Sequence, residues 1–171
     1  LQRATRAATE KCNPEIISDA FSIMGEIYHK MGDRVKSFAA YDSCLQWKPD
    51  NVVTLNNYAY YLSVSGVNLK KAEEMSAKAV KAEPKNATYL DTYAWVLYKQ
   101  KRYAEAKIYI DMALKFTADS TTDVTLREHA GDIYVELGDY TEALKFYEQA
   151  LRQGGDAKAL NKKINLYRRR K

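Results

Sequence analysis

Residues that interrupt or cross-link a chain are scarce in this sequence of 171 residues. It has three prolines and seven glycines, which leaves little room for disordered segments or flexible linkers. Its two cysteines, Cys12 and Cys44, are too few for a disulfide framework or a zinc site. No run of about 18 apolar residues occurs, so no segment is predicted to span a membrane directly.

Sequence motifs of common catalytic and cofactor sites are also missing. There is no Gly-rich phosphate loop, no HxxxH or CxxC pair and no GxSxG. The two histidines, His29 and His129, are too far apart along the chain to share a metal ion. The sequence therefore predicts no catalytic residue, no metal site and no cofactor, and a protein that is not an enzyme.

The net charge of +5 is concentrated at one end of the chain. Residues 158–171 hold seven Lys or Arg and no acidic residue, which leaves 20 basic against 22 acidic residues in the first 157. A nucleic-acid-binding face usually spreads positive charge over a fold, so we expect no nucleic-acid partner.

A repeat with a period close to 34 residues dominates the sequence. Four copies align, and three columns of the alignment hold only small residues. Stacked helix pairs produce such a period, because closely packed helices need small side chains where their axes approach to about 8–10 Å. The columns are Gly25, Ala59, Ala94 and Gly131; Ser37, Ala72, Ala106 and Ala143; and Cys44, Ala79, Ala113 and Ala150.

Each copy has two segments with the i, i+3, i+4, i+7 apolar spacing of helices. Phe21, Met24, Ile27, Tyr28 and Met31 form the first such stripe. Larger residues are expected to fill the space beside the small columns. They include Leu55, Tyr58, Leu90, Tyr93, Ile108 and Leu144.

Glycine and proline mark the ends of these helices. Gly32 and Gly138 suit the left-handed conformation that ends a helix, and Pro49 and Pro84 separate successive copies. Lys101 stands at the glycine position of the third copy, where that conformation costs on the order of 1 kcal/mol. The third turn is therefore expected to adopt another geometry.

The repeated columns resemble the tetratricopeptide repeat. In the fourth copy, AGDIYVELGDYTEALKFYEQAL follows the family pattern at Gly131, Tyr134, Gly138, Ala143, Tyr147 and Ala150. The resemblance covers residues 18–157 and implies an all-α, right-handed superhelical solenoid of antiparallel helix hairpins. The expected parts are a truncated preceding repeat at 1–13, four repeats at 18–51, 52–86, 87–120 and 124–157, and a basic capping helix at 157–171.

The resemblance also implies a binding groove, because the first helix of each pair lines the concave wall in this family. Aromatic residues there are suited to anchor a peptide. They are equally consistent with packing against a neighbouring inner helix. The predicted peptide-binding residues are Asn56, Asn57, Tyr60, Asp91, Trp95, Tyr98, Glu128 and Asp132.

Charge narrows the expected ligand. The family's chaperone-binding members capture a C-terminal carboxylate with inward Lys, Arg and Asn, but Ser22, Glu26, Asp91 and Thr92 stand at those positions here. Glu26, Asp91, Glu128 and Asp132 make the inner wall acidic. The sequence thus predicts a neutral or basic peptide as partner.

The expected function is a non-catalytic scaffold or adaptor for protein binding. A structural spacer and an accessory segment of a larger enzyme are the alternatives. The run 55–114 resembles repeat proteins of bacterial cell envelopes, which favours the periplasm or an outer-membrane lipoprotein. Because the sequence looks like an excised segment, weak end-to-end dimerisation of this fragment is also expected.

Overall fold

The computed structural model describes residues 13–117 and 123–170 of the chain. These residues form nine α-helices and no strand, which confirms the predicted all-α class. The helices are α1 (Pro14–Lys30), α2 (Arg34–Trp47), α3 (Val52–Ser65), α4 (Leu69–Ala82), α5 (Ala87–Lys99), α6 (Tyr103–Phe116), α7 (Val124–Glu136), α8 (Tyr140–Arg152) and α9 (Ala157–Arg168). None of these helices is long and apolar enough to cross a membrane.

The described residues divide into two compact units, and the division falls within α3, between Tyr58 and Ala59. In the first unit, α1 packs against α2 as a hairpin. In the second unit, α5 packs against α6 and α7 against α8, and each hairpin also contacts the helix that follows it. Of the segment predicted over residues 1–13, only Asn13 lies within the described residues, and Cys12 lies outside them.

Polar side chains before the helices define where these begin. Asp33 and Asp139 accept hydrogen bonds from the backbone amides of Lys36 and Glu142, at 3.1 Å in both cases. Such caps satisfy amide groups that have no partner within the helix. Asn13, Asn86, Asp123 and Asp156 cap α1, α5, α7 and α9 in the same way.

The three small-residue columns are buried, as the repeat predicts. In the first hairpin, Ser37 Oγ donates a hydrogen bond to the Gly25 carbonyl at 2.8 Å, and the Tyr41 ring covers Gly25. Cys44 is a free, fully buried cysteine. The small side chains therefore lie where one helix of a hairpin crosses the other.

The structure corrects one expectation about large apolar residues and adds the direction of the first stripe. Ile108 does not fill the space beside a small column, because its side chain is 58% exposed. The first apolar stripe also faces largely outward, since Met24, Ile27 and Met31 are exposed. The residues of α1 that are buried are Ser18, Ser22 and Gly25.

The turns within hairpins share one backbone conformation. Gly32 and Gly138 have φ of +78° and +79°, as expected, and Lys101 has φ of +63°. The prediction of a different geometry at Lys101 is therefore wrong. The amide of Arg102 bonds the Leu97 carbonyl at 3.0 Å, just as that of Asp139 bonds the Tyr134 carbonyl at 3.0 Å.

Lys101→Gly is expected to stabilise the chain by roughly 0.5–1 kcal/mol, because glycine adopts a positive φ without the steric cost of a side chain. Chemical denaturation of the two proteins measures the difference. Gly138→Ala is the matched control, and it should destabilise by a similar amount. A loss of stability in Lys101→Gly would contradict the strain assigned to this turn.

Candidate functional site

A buried pair of polar side chains joins two first helices of hairpins in the second unit. Asp91 on α5 and His129 on α7 are 8% and 6% exposed, and Asp91 Oδ1 lies 2.9 Å from His129 Nδ1. A carboxylate can only accept hydrogen bonds, so Nδ1 is the donor. This contact fixes the plane of the imidazole ring between two repeats.

Tyr60 and Trp95 contact the His129 ring, and Tyr98 stacks on the other side of this group against Trp95. We call these four residues the aromatic row: Tyr60, His129, Trp95 and Tyr98. The indole of Trp95 stacks on His129 at 3.9 Å between centroids and on Tyr98 at 4.6 Å. Tyr60 approaches His129 at 6.2 Å. The row thus connects α3, α5 and α7 and leaves Tyr60, Trp95 and Tyr98 partly exposed.

The acidic residues of the predicted wall are mostly engaged within the protein. Asp132 accepts hydrogen bonds from Tyr147 Oη at 2.6 Å and from Lys163 Nζ at 2.5 Å. Asp91 is taken by His129. Glu128 is half-buried on α7 and makes no hydrogen bond or ion pair with any residue in the described parts of the chain.

Negative charge nevertheless dominates the surroundings of the aromatic row. Burial raises the pKa of Tyr60, and Asp91, Asp123 and Glu128 raise it further. Burial likewise raises the pKa of Tyr98, with added contributions from Asp132 and Glu136. Lys99, with Nζ 5.0 Å from the Trp95 ring centroid, is a nearby positive charge.

The predicted asparagines belong to the first unit. Asn57 Nδ2 donates to Glu26 Oε1 at 2.8 Å, and Asn56 Nδ2 donates to Asn57 Oδ1 at 3.2 Å. Asn56 Oδ1 is buried and has no hydrogen-bond partner among the described residues. Both amide NH₂ groups therefore already serve contacts within this unit.

His129 is the residue that sequence reasoning missed as part of this site. The repeat register predicts that His129 lies at an inner position. From the sequence, its imidazole is considered only as a possible metal ligand. Asp91 and His129 lie 38 residues apart, about one repeat, at neighbouring inner positions. The sequence did contain a signal for this contact, since an acidic residue and a histidine occur about one repeat apart on the first helices of successive hairpins.

Comparison with known proteins identifies the repeats. Profiles of the tetratricopeptide repeat match residues 63–160 and 18–51. Over 81 residues, 47% of this chain, the sequence is 32% identical to the TPR repeat-containing protein PA4667 of Pseudomonas aeruginosa. The matched region spans only 14% of that relative's length.

Solved structures share the same fold. PilF of Pseudomonas aeruginosa matches with a TM-score of 0.74 at 22% identity, over 92% of this chain and 71% of PilF. YrrB, described as a TPR protein with an unusual peptide-binding site, matches with a TM-score of 0.63 at 19% identity, over 88% of this chain and 74% of YrrB. Helix hairpins, small-residue columns and profile matches over more than half of the sequence agree: the chain belongs to the tetratricopeptide repeat family.

Proposed function

We propose that the aromatic row of the second unit binds an extended segment of another protein, and that the chain acts as a scaffold or adaptor. The observation that carries this proposal is the Asp91–His129 pair, which holds partly exposed Trp and Tyr rings in place before any ligand arrives. Rings that are already ordered lose little conformational entropy on binding. Trp and Tyr are also enriched among residues that dominate binding energy.

The same surroundings favour a neutral or basic segment. Five carboxylates raise the pKa of either Tyr60 or Tyr98. Two of them, Asp91 and Asp132, are already paired with basic side chains. Asp123 accepts a hydrogen bond from the Leu126 amide, and Glu136 is hydrogen-bonded to Tyr103. Among these five, Glu128 is therefore the carboxylate left to meet a Lys or Arg of a ligand. An acidic segment would be repelled by these carboxylates, so it would bind more weakly and the site would discriminate against it.

Selection from a random library of 12-residue peptides tests this proposal even though the natural partner is unidentified. Enriched peptides should carry aliphatic residues and a net positive or zero charge. Their affinity is then measured by the fluorescence of Trp95 in a Trp47→Phe background. Glu128→Lys is expected to weaken a selected basic peptide more than tenfold, because attraction becomes repulsion.

Glu74→Lys is the matched control, since Glu74 is exposed on α4, a second helix, and the charge change is the same. It should alter affinity by less than twofold. Enrichment of acidic peptides, or equal loss in both variants, would contradict the proposed site.

A structural spacer is the second candidate, and one observation favours it. Stacking on His129 and Tyr98 already covers much of the Trp95 indole, as in a row that serves only to hold helices together. In that case the library yields no enriched peptide, and Glu128→Lys leaves every property but net charge unchanged.

A bacterial cell-envelope location stays a prediction. Fractionation of cells that express the native protein tests it, and recovery in the cytoplasmic fraction would refute it.

A further inference from the structure

The first hairpin carries six large apolar side chains on its outside. Ile16, Ile23, Met24, Ile27, Met31 and Val35 are between 40% and 78% exposed, and we call them the outer apolar face. The opposite side of α1 buries only Ser18, Ser22 and Gly25. Contiguous apolar surface of this kind marks an interaction site more often than scattered exposed residues do.

A shallow cleft adjoins this face and offers room for an incoming side chain. It has a volume of about 220 Å³ and lies between α1 and α2. Phe21, Met24 and Tyr28 line one side, and Lys36 and Ala39 line the other. The face therefore combines protruding aliphatic residues with a cavity large enough to receive one of them.

We propose that the outer apolar face pairs with the same face of a second copy of this chain, as an isologous dimer in which the two α1 helices run antiparallel. This proposal is independent of the binding function proposed for the aromatic row. Pairing about the midpoint between Ile23 and Met24 opposes Ile16 of one copy to Met31 of the other, and Ala20 to Ile27. Ile23 opposes Met24 across the axis, so all three of these pairs are apolar.

Charge along α1 is self-complementary in that orientation. Asp19 is exposed in its N-terminal half, beside Glu15, which already pairs with Lys48 at 2.5 Å. Its C-terminal end exposes Lys30, with Arg34 just beyond it, and the nearby Asp33 is paired with Lys36. An antiparallel pair brings the acidic end of each helix close to the basic end of the other. A parallel pair would place like charges together, and a twofold axis makes each favourable contact occur twice.

A head-to-tail contact has no comparable surface. The exposed side chains of α9 in the second unit include Lys158, Lys162 and Arg168, and Leu166 is its one exposed large apolar residue. One hairpin face is also smaller than the surfaces that hold obligate dimers, so we expect a dissociation constant on the order of 10⁻⁵–10⁻⁴ M.

Sedimentation equilibrium over a concentration series tests the dimer. The chain should move from monomer to dimer, and Ile27→Lys should weaken association more than tenfold by placing a charge in the interface. Ile108→Lys is the matched control, because Ile108 is similarly exposed but lies on α6 in the second unit. It should leave the dissociation constant within twofold of the unchanged chain.

Charge reversal tests the antiparallel orientation. Asp19→Lys and Lys30→Glu should each weaken the homodimer, and an equimolar mixture of the two variants should form a heterodimer more readily than either variant self-associates. Circular dichroism establishes that each variant is folded. A chain that stays monomeric, forms open-ended oligomers, or loses association equally in Ile108→Lys would overturn the proposal.

Discussion

His129→Ala is expected to lower the free energy of unfolding by about 2–4 kcal/mol, because it removes a buried hydrogen bond and an aromatic contact together. The substitution leaves Asp91 with its carboxylate at 8% exposure and without its hydrogen-bond donor. It also removes the ring that stacks on Trp95 at 3.9 Å. Both losses fall on the surface between α5 and α7.

Urea denaturation, followed by circular dichroism, measures this effect. In a Trp47→Phe background, the emission of Trp95 should also shift to longer wavelength, as its indole loses cover. Thr125→Ala is the control, since Thr125 is exposed on the same helix and should change stability by no more than about 0.5 kcal/mol. A cost below about 1 kcal/mol for His129→Ala would mean that the pair does not organise the aromatic row.

The pairing of His129 with Asp91 affects how binding experiments are designed. Truncation of Trp95 would disturb the stack on His129 as well as any ligand contact, so a loss of binding would have two explanations. Glu128 has no comparable structural partner among the described residues, and its substitution changes the surface charge without opening the core. For this reason the charge variant is the sharper test of the proposed function.

The fold could be predicted from the sequence because the same spacing of small residues occurs in four copies. Small residues recur where helices cross, and each of those columns is buried. Register does not reveal which inner side chains bond one another, so the engagement of Asp91 by His129 and of Asp132 by Lys163 came only from the structure.

The sequence also could not predict which way the first apolar stripe faces. Periodicity showed that α1 has an apolar face, but not that the hairpin buries the opposite face. Ser18, Ser22 and Gly25 let α2 approach closely, and hydrogen bonds such as that from Thr54 to Ser22 at 2.7 Å satisfy the polar groups. With its inner side occupied in this way, α1 presents its isoleucines and methionines outward.

Gly131→Ala is expected to destabilise the chain by about 1–3 kcal/mol, although alanine favours helices more than glycine does. A Cβ at residue 131 would lie 2.6 Å from Cδ1 of the Tyr147 ring. Tyr147 cannot easily withdraw, because it is 1% exposed and its hydroxyl donates to Asp132 at 2.6 Å. Neither the helix backbone that carries the new Cβ nor the Tyr147 ring can move easily to relieve the clash.

The repeats themselves indicate how this collision is avoided elsewhere. Tyrosine faces glycine in the first hairpin too, where a Cβ on Gly25 would lie 2.5 Å from Tyr41 Cε1. At the same register in the third repeat, Ala94 accompanies the smaller Ile110, and both are fully buried. Glycine with tyrosine and alanine with isoleucine are thus two ways of filling one volume.

A double-mutant cycle tests this relation between the two positions. Tyr147→Ile should be costly alone, because it loses aromatic burial and the bond to Asp132, yet Gly131→Ala should cost less in its presence than in the unchanged chain. The expected coupling is about 1 kcal/mol or more in favour of the double variant, whereas independent sites add to within about 0.5 kcal/mol. If the two changes in the free energy of unfolding simply add, glycine is needed at 131 for a reason other than the space taken by the Tyr147 ring. Coupling of the expected sign would mean that each hairpin is packed as a matched pair, so that repeats tolerate exchange of both residues together better than of either one.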